Sequence, residues 1–165
     1  MSTFGLHKND VAVAYDEYAD MLYRLALTHL QNTEDAADAV QDVFVKYMHR
    51  KPVFKDREHE RAWFIRVTVN CCHDKHRRRK VRDALSLEAV GDIAHEADGV
   101  DRDTLFTLMK SLESVEHKCR DAIVLHYLEG LSVDETAKAL GISVSAVKMR
   151  LSRGRDALKT LMKTE

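Results

Sequence analysis

Apolar residues recur along this chain at steps of three and four, the spacing that gathers them on one side of an α-helix. Residues 11–30 carry Val11, Tyr15, Tyr18, Leu22, Leu25 and Ala26 in that register. They predict a helix with one buried stripe. Asn32-Thr33 interrupts the pattern, and Thr33 is placed to cap the next helix, Glu34 to His49, whose Ala37, Val40, Val43, Phe44 and Tyr47 make a second stripe. Pro52 ends that helix, because proline lacks the N–H a helix interior needs. A polar loop, residues 53–60, follows. A third helix starts near Arg61, with Trp63, Phe64, Val67 and Cys71 on its apolar face. Residues 81–102 lose the periodicity and carry Gly91 and Gly99. They read as a flexible linker with a short helical turn near Leu85 to Val90. Beyond it Leu105, Leu108, Met109 and Leu112 form one stripe, and Cys119, Ile123, Val124 and Tyr127 another, before Glu129-Gly130 breaks the run. The pattern predicts an all-α protein of two small helical domains, residues 8–80 and 103–165, joined by that linker.

Composition agrees with a helical reading. The chain has one proline and six glycines in 165 residues, and few breakers favour helices. No stretch approaches the roughly 20 apolar residues of a membrane span, and MSTFGLHKND at the start lacks the apolar core of a signal peptide. The expected compartment is the cytoplasm, with no direct membrane insertion. Cys71 and Cys72 are adjacent and Cys119 is distant, which is no disulfide framework.

Net charge is −1, so the total does not advertise nucleic-acid binding, but the distribution does. Arg61 to Arg82 holds eight basic residues against one acid, Asp74, and Val144 to Lys163 holds six against Asp156. Between them, Asp83 to Asp121 carries ten acids against four bases. One such cluster reads as a solvated helix face; two, each on a predicted helix, suggest two DNA contacts. Asp92, Glu96, Asp98, Asp101 and Asp103 of the acidic middle are placed to shield the basic surfaces in the free protein.

The sharpest motif is LSVDETAKALGISVSAVKMRLSRGRDAL, Leu131 to Leu158. Ser132 with Glu135 three residues on predicts a capping box. A short helix, Val133 to Leu140, ends at Gly141, where the chain needs a left-handed residue. Ser143 caps the next helix, which runs to about Leu158. Small Ala137 lets the two helices cross closely, and Val147 and Leu151 bury the second against the first. That leaves Ser145, Lys148, Met149, Ser152 and Arg153 outward. Such a helix fits the major groove, where Arg and Lys can bond guanine edges and Ser several bases. Arg150 and Arg155 are placed to grip phosphates, which fix register without reading sequence. A helix-turn-helix alone does not separate a stand-alone transcriptional regulator from other DNA-binding proteins.

Nothing in the sequence predicts catalysis or a cofactor. Cys72, His73 and His76 lie close together, and His73 and His76 can share a helix face, but no second ligand pair is visible where a structural zinc site wants four ligands. No metal site is therefore expected. His29 and His126, within apolar stretches, read as packed or hydrogen-bonded core residues. No phosphate-cradling loop, nucleophile elbow or metalloprotease motif occurs, so the protein is expected not to be an enzyme.

The run DAADAVQDVFVKYM (Asp35 to Met48), then RAWFIRVTVN (Arg61 to Asn70) and a basic tail, resembles domain 2 of sigma factors. The helix-turn-helix segment resembles their domain 4. The pair, in this order and over about residues 10–163, resembles the extracytoplasmic-function (ECF) subfamily of the sigma-70 family of RNA polymerase sigma factors. The resemblance implies that Asp38, Gln41 and Asp42 dock on the beta-prime clamp of core polymerase, with further contacts to its beta subunit. Read alone, those acids are equally a solvated face. It also implies that Phe54, Lys55 and His59 form a pocket for a flipped base of the −10 element. Arg61, Arg66 and Asn70 would touch the opened strand, and Arg77 and Arg78 of the basic tail its phosphates. Trp63 can stack a base or complete the core. The 144–155 helix would read −35 duplex, and an anti-sigma factor is an expected partner. Two positions depart from the family pattern: Thr136 where an aliphatic residue is usual, and Gly154 where alanine is usual.

Overall fold

Residues 8–83 and 102–163 are described by the computed structural model, and all regular structure among them is helical. The helices are α1 (Lys8–Leu30), α2 (Thr33–Arg50), α3 (Arg57–Asp83), α4 (Arg102–Glu113), α5 (His117–Ile123), α6 (Val133–Leu140) and α7 (Val144–Lys163). A π-helical turn, Val124–Leu128, continues α5. The turn expected near Leu85 and the acids Asp92 to Asp101 lie outside the described residues. None of the described helices is long and apolar enough to cross a membrane.

Local chemistry sets the helix ends, several of them one to five residues from those expected. Gln31 takes a left-handed backbone (φ 52°), which turns the chain early and gives the extended cap conformation to Asn32. Asn32, not Thr33, caps α2: its side-chain oxygen accepts from the Asp35 N–H at 3.0 Å. Lys51 closes α2 in a left-handed conformation, its N–H donating to the Tyr47 carbonyl, one residue ahead of Pro52. α3 starts four residues before Arg61, because the Asp56 carboxylate accepts from the His59 N–H at 2.8 Å and so caps it there. It also runs through residues 81–83, which the sequence pattern assigned to the linker.

α1, α2 and α3 enclose an aromatic core of Tyr18, Phe44, Tyr47 and Phe64 with Leu22 and Val43. Two expected stripe members are displaced from it. Tyr15 and Ala37 are exposed, whereas Ala14, Ala36 and Ala39 are buried. Ala36 and Ala39 pack on Leu27, Leu30 and Cys72; they share the helix phase of Val40, Val43 and Tyr47, which faces inward, and Ala37 falls outside that face. Tyr127 is also exposed. The extra residue in the π-helical turn rotates it off the α5 stripe, and its hydroxyl accepts from Arg155 at 2.9 Å.

α3 buries two faces. Phe64, Val67 and Cys71 join the aromatic core, while Ala62, Ile65 and Val69 join Leu25 of α1 and a second cluster built from Leu112, Ile123, Val124, Leu125, Ala137, Val147 and Leu151. The N- and C-terminal blocks thus share a core through α3.

Candidate nucleic-acid and polymerase interfaces

The helix-turn-helix forms as its residues dictate. Ser132 has an extended backbone and its hydroxyl accepts from the Glu135 N–H at 3.1 Å. Gly141 is left-handed (φ 68°), and the Ser143 hydroxyl accepts from the Ala146 N–H at 3.1 Å. The capping box is half made, because the Glu135 carboxylate turns away to pair with Arg61. Thr136, in place of an aliphatic residue, is fully buried, and its hydroxyl donates back to the Ser132 carbonyl at 2.8 Å. That bond removes the cost of the extra polar group.

α7 runs five residues beyond Leu158. It buries Val147 and Leu151 and exposes Ser145, Lys148, Met149, Ser152 and Arg153. Arg150 is half-buried, and Arg155 is exposed and held by Tyr127. Gly154 is buried against α5. A Cβ there would sit 2.7 Å from Ile123 Cγ1, so glycine at this position permits a close crossing.

On the N-terminal block, the loop before α3 brings the expected pocket residues together. Phe54 is half-buried, its ring 5.9 Å from Trp63, 5.6 Å from His59 and 6.4 Å from Tyr47. The Lys55 N–H donates to His59 Nδ1 at 3.1 Å. Trp63 is half-buried and packs on the aromatic core. Trp63, Arg66, Asn70 and Arg77 follow one another at steps of three, four and seven, a single helical stripe. Asn70 and Arg77 line a cleft of about 700 Å3 together with Lys46, Arg50, Lys80 and Lys118. Arg77 also pairs with Asp74, and Arg78 is exposed. On α2, Asp38, Gln41 and Asp42 are all exposed, with Asp42 Oδ2 3.6 Å from Lys75 Nζ.

Arg61 and Arg66 also meet the C-terminal block. They flank the Ala62–Ile65–Val69 stripe of α3, so α6, which packs on that stripe, meets both. Arg61 pairs with Glu135, and Arg66 Nη2 donates to the Lys138 carbonyl at 2.8 Å. Lys138 Nζ lies 2.9 Å from Glu58, and that hydrogen bond raises its pKa. Arg24 of α1 makes a two-pronged bond to Glu129, 3.1 Å on each arm. In this closed arrangement two arginines of the expected −10 surface are engaged by the helix-turn-helix.

Sequence reasoning missed one convergence. His29, His73 and His76 meet His117 and Asp121 where the two blocks join. His73 and His76 were visible as a pair; their companions are 41 and more residues away in sequence, beyond the reach of spacing. His126, read as hydrogen-bonded, has its Nδ1 2.7 Å from the Leu131 carbonyl.

The family description "Sigma-70 region 2" matches residues 14–82, and "Sigma-70, region 4" matches residues 105–158. The chain is 31% identical over 141 residues to ECF RNA polymerase sigma factor SigM of Mycobacterium tuberculosis, covering 86% of this chain and 71% of SigM. It is 30% identical over 157 residues to ECF RNA polymerase sigma factor SigW of Bacillus subtilis, covering 87% and 84%. Its fold superposes on CnrH, solved in complex with the cytosolic domain of CnrY, with a TM-score of 0.75 at 26% identity, over 96% of this chain and 91% of CnrH. CnrH is a sigma factor of Cupriavidus metallidurans. A stand-alone regulator would leave the region 2 match over α1–α3 without a role. The chain belongs to the ECF subfamily of the sigma-70 family of RNA polymerase sigma factors.

Proposed function

We propose a division of labour between the two blocks of this sigma factor. The α1–α3 block binds core polymerase through the exposed Asp38, Gln41 and Asp42 of α2, an acidic and amide face suited to a basic coiled coil on the beta-prime clamp. It opens the −10 element with Phe54, Lys55, His59 and Trp63 around a displaced base, and with Arg61, Arg66 and Asn70 on the separated strand. Arg77 and Arg78 hold phosphates. The α4–α7 block reads −35 duplex with α7 and meets the beta subunit. The protein recognises and positions; the chemistry of RNA synthesis stays with the polymerase.

The observation that carries this reading is the sidedness of α7. Its buried side is apolar, and its exposed side presents Ser145, Lys148, Met149, Ser152 and Arg153 within reach of one groove. Promoter engagement also requires α6 to leave α3, because Arg61 and Arg66 cannot hold both Glu135 and Lys138 and a DNA strand. A protein that covers these faces would keep the factor idle. The likeness to CnrH, solved with the cytosolic domain of CnrY, supports an anti-sigma partner of that kind.

The test is DNA binding by the holoenzyme. Lys148→Ala and Arg153→Ala should each relax discrimination at one −35 base by about 1–3 kcal/mol. Arg77→Ala and Arg78→Ala should weaken all sequences alike and lower the salt slope by about one each. Uniform losses from the α7 variants would contradict the assignment of α7 as the reader.

A further inference from the structure

Three helices deliver imidazoles to one point between the blocks. His29 comes from α1, His76 from α3 and His117 from α5. The His76 and His117 rings lie 4.6 Å apart, and His29 lies 6.2 Å from His117 and 6.5 Å from His76, centroid to centroid. His29 is 1% exposed. Its Nδ1, the His76 Nε2 and the His117 Nδ1 are all buried with no hydrogen-bond partner among the described residues. One ligand nitrogen from each of the three falls within 4.8 Å of the other two. Buried polar atoms are almost always paired in native proteins, so unpaired nitrogens on three rings clustered this closely point to a ligand that accepts lone pairs.

We propose that His29, His76 and His117 bind one divalent transition-metal ion of the zinc class, bridging the N- and C-terminal blocks. Imidazole nitrogen suits that class. Asp121, 2% exposed, supplies the outer partner that ligating histidines use to fix their rings. Its Oδ1 rests against His29 Nε2, which leaves Nδ1 to the metal, and its Oδ2 is 3.4 Å from His73 Nε2.

Protonation and access also fit. Burial, then the neighbouring His117, lowers His76 to about 4; burial, then Arg120, lowers His117. Both are therefore neutral at neutral pH, the state that coordinates. The adjacent Cys72 is the opposite case: burial pushes its thiol up, away from the thiolate a metal needs. A zinc–nitrogen bond of about 2.0–2.1 Å with tetrahedral angles sets nitrogens about 3.4 Å apart, so the rings must close inward. His117 is half-buried beside the cleft that His73, His76 and His117 line, and that cleft gives an ion an entry path.

The experiment uses the full chain stripped with a chelator, then titrated with Co2+ and Zn2+. One equivalent should bind, with the intense visible d–d bands of tetrahedral cobalt and no thiolate-to-cobalt charge-transfer band. His76→Gln and His117→Gln should each weaken binding at least tenfold while keeping wild-type helicity in chelator; His73→Gln should keep the affinity within a few-fold. Zinc should raise the thermal midpoint of the wild type and not of the two ligand variants. Less than one equivalent bound, a thiolate band, or a loss in His73→Gln that exceeds the loss in His117→Gln would overturn the assignment. The readouts are metal binding and thermal midpoint, not transcription, so failure of this site leaves the division of labour standing.

Discussion

Replacing Gly154 by alanine tests how α7 is seated. Taken alone, alanine in a helix interior gains up to about 1 kcal/mol over glycine, and alanine is the usual residue here in the family the sequence resembles. The packing argues the other way. The added Cβ would lie 2.7 Å from Ile123 Cγ1, 3.0 Å from its Cδ1 and 3.7 Å from Cys119 Cβ. Ile123 and Cys119 are 5% and 4% exposed, so neither can step into solvent. Ile123 is β-branched and stiff at χ1 within a helix. Overpacking of this kind costs about 1–3 kcal/mol. Set against the propensity gain, Gly154→Ala should destabilise the protein by up to about 2 kcal/mol. Urea unfolding followed by circular dichroism reads this as a lower midpoint at unchanged slope. Ile123→Ala alone should cost about 2–5 kcal/mol. Combined with Gly154→Ala it should cost less, because the new methyl fills the space, giving a favourable coupling of about 1 kcal/mol. A stabilising Gly154→Ala, or strict additivity of the pair, would refute the close crossing of α7 on α5.

The closed arrangement makes a second prediction. Glu135→Gln and Glu129→Gln remove the partners of Arg61 and Arg24, and each should weaken the closed form by about 0.2–1 kcal/mol, since the pairs are partly exposed. Fluorescence anisotropy with a −10 single strand should then show tighter binding by the free double variant, by about two- to thirtyfold; unchanged or weaker binding would mean the contacts do not gate the surface. At the start of α2, Asn32→Ala should cost about 1 kcal/mol of stability, whereas Thr33→Ala should cost much less, and the reverse order in urea melts would restore Thr33 as the cap.

Most of this organisation is legible along the chain because it is local. The helix-turn-helix is set by Ser132, Gly141, Ser143 and the Val147–Leu151 stripe, and each acts within a few residues of itself. Helix ends shift where two neighbours compete for one role, as Asn32 and Thr33 do, or where an unremarked Asp56 caps early. Periodicity also fails at the π-helical turn, since a 3.6-residue register carried through it puts Tyr127 inside. The second buried face of α3 is the larger omission. Ala62, Ile65 and Val69 stand beside the Phe64–Val67–Cys71 stripe as a nearly continuous apolar run, and only a partner on the other side explains it. That partner is the C-terminal block, and with it come the contacts on Arg61 and Arg66 and the histidines around Asp121. Their sequence separations are too long for any spacing rule to register.

Run-off transcription with purified core polymerase on a promoter library, with and without this protein, tests the central claim most directly. The account predicts new start sites that share a −35 and a −10 element and that disappear when Asp38, Gln41 and Asp42 are replaced together by alanine. No new starts, combined with tight sequence-specific binding of duplex by the protein alone, would contradict it.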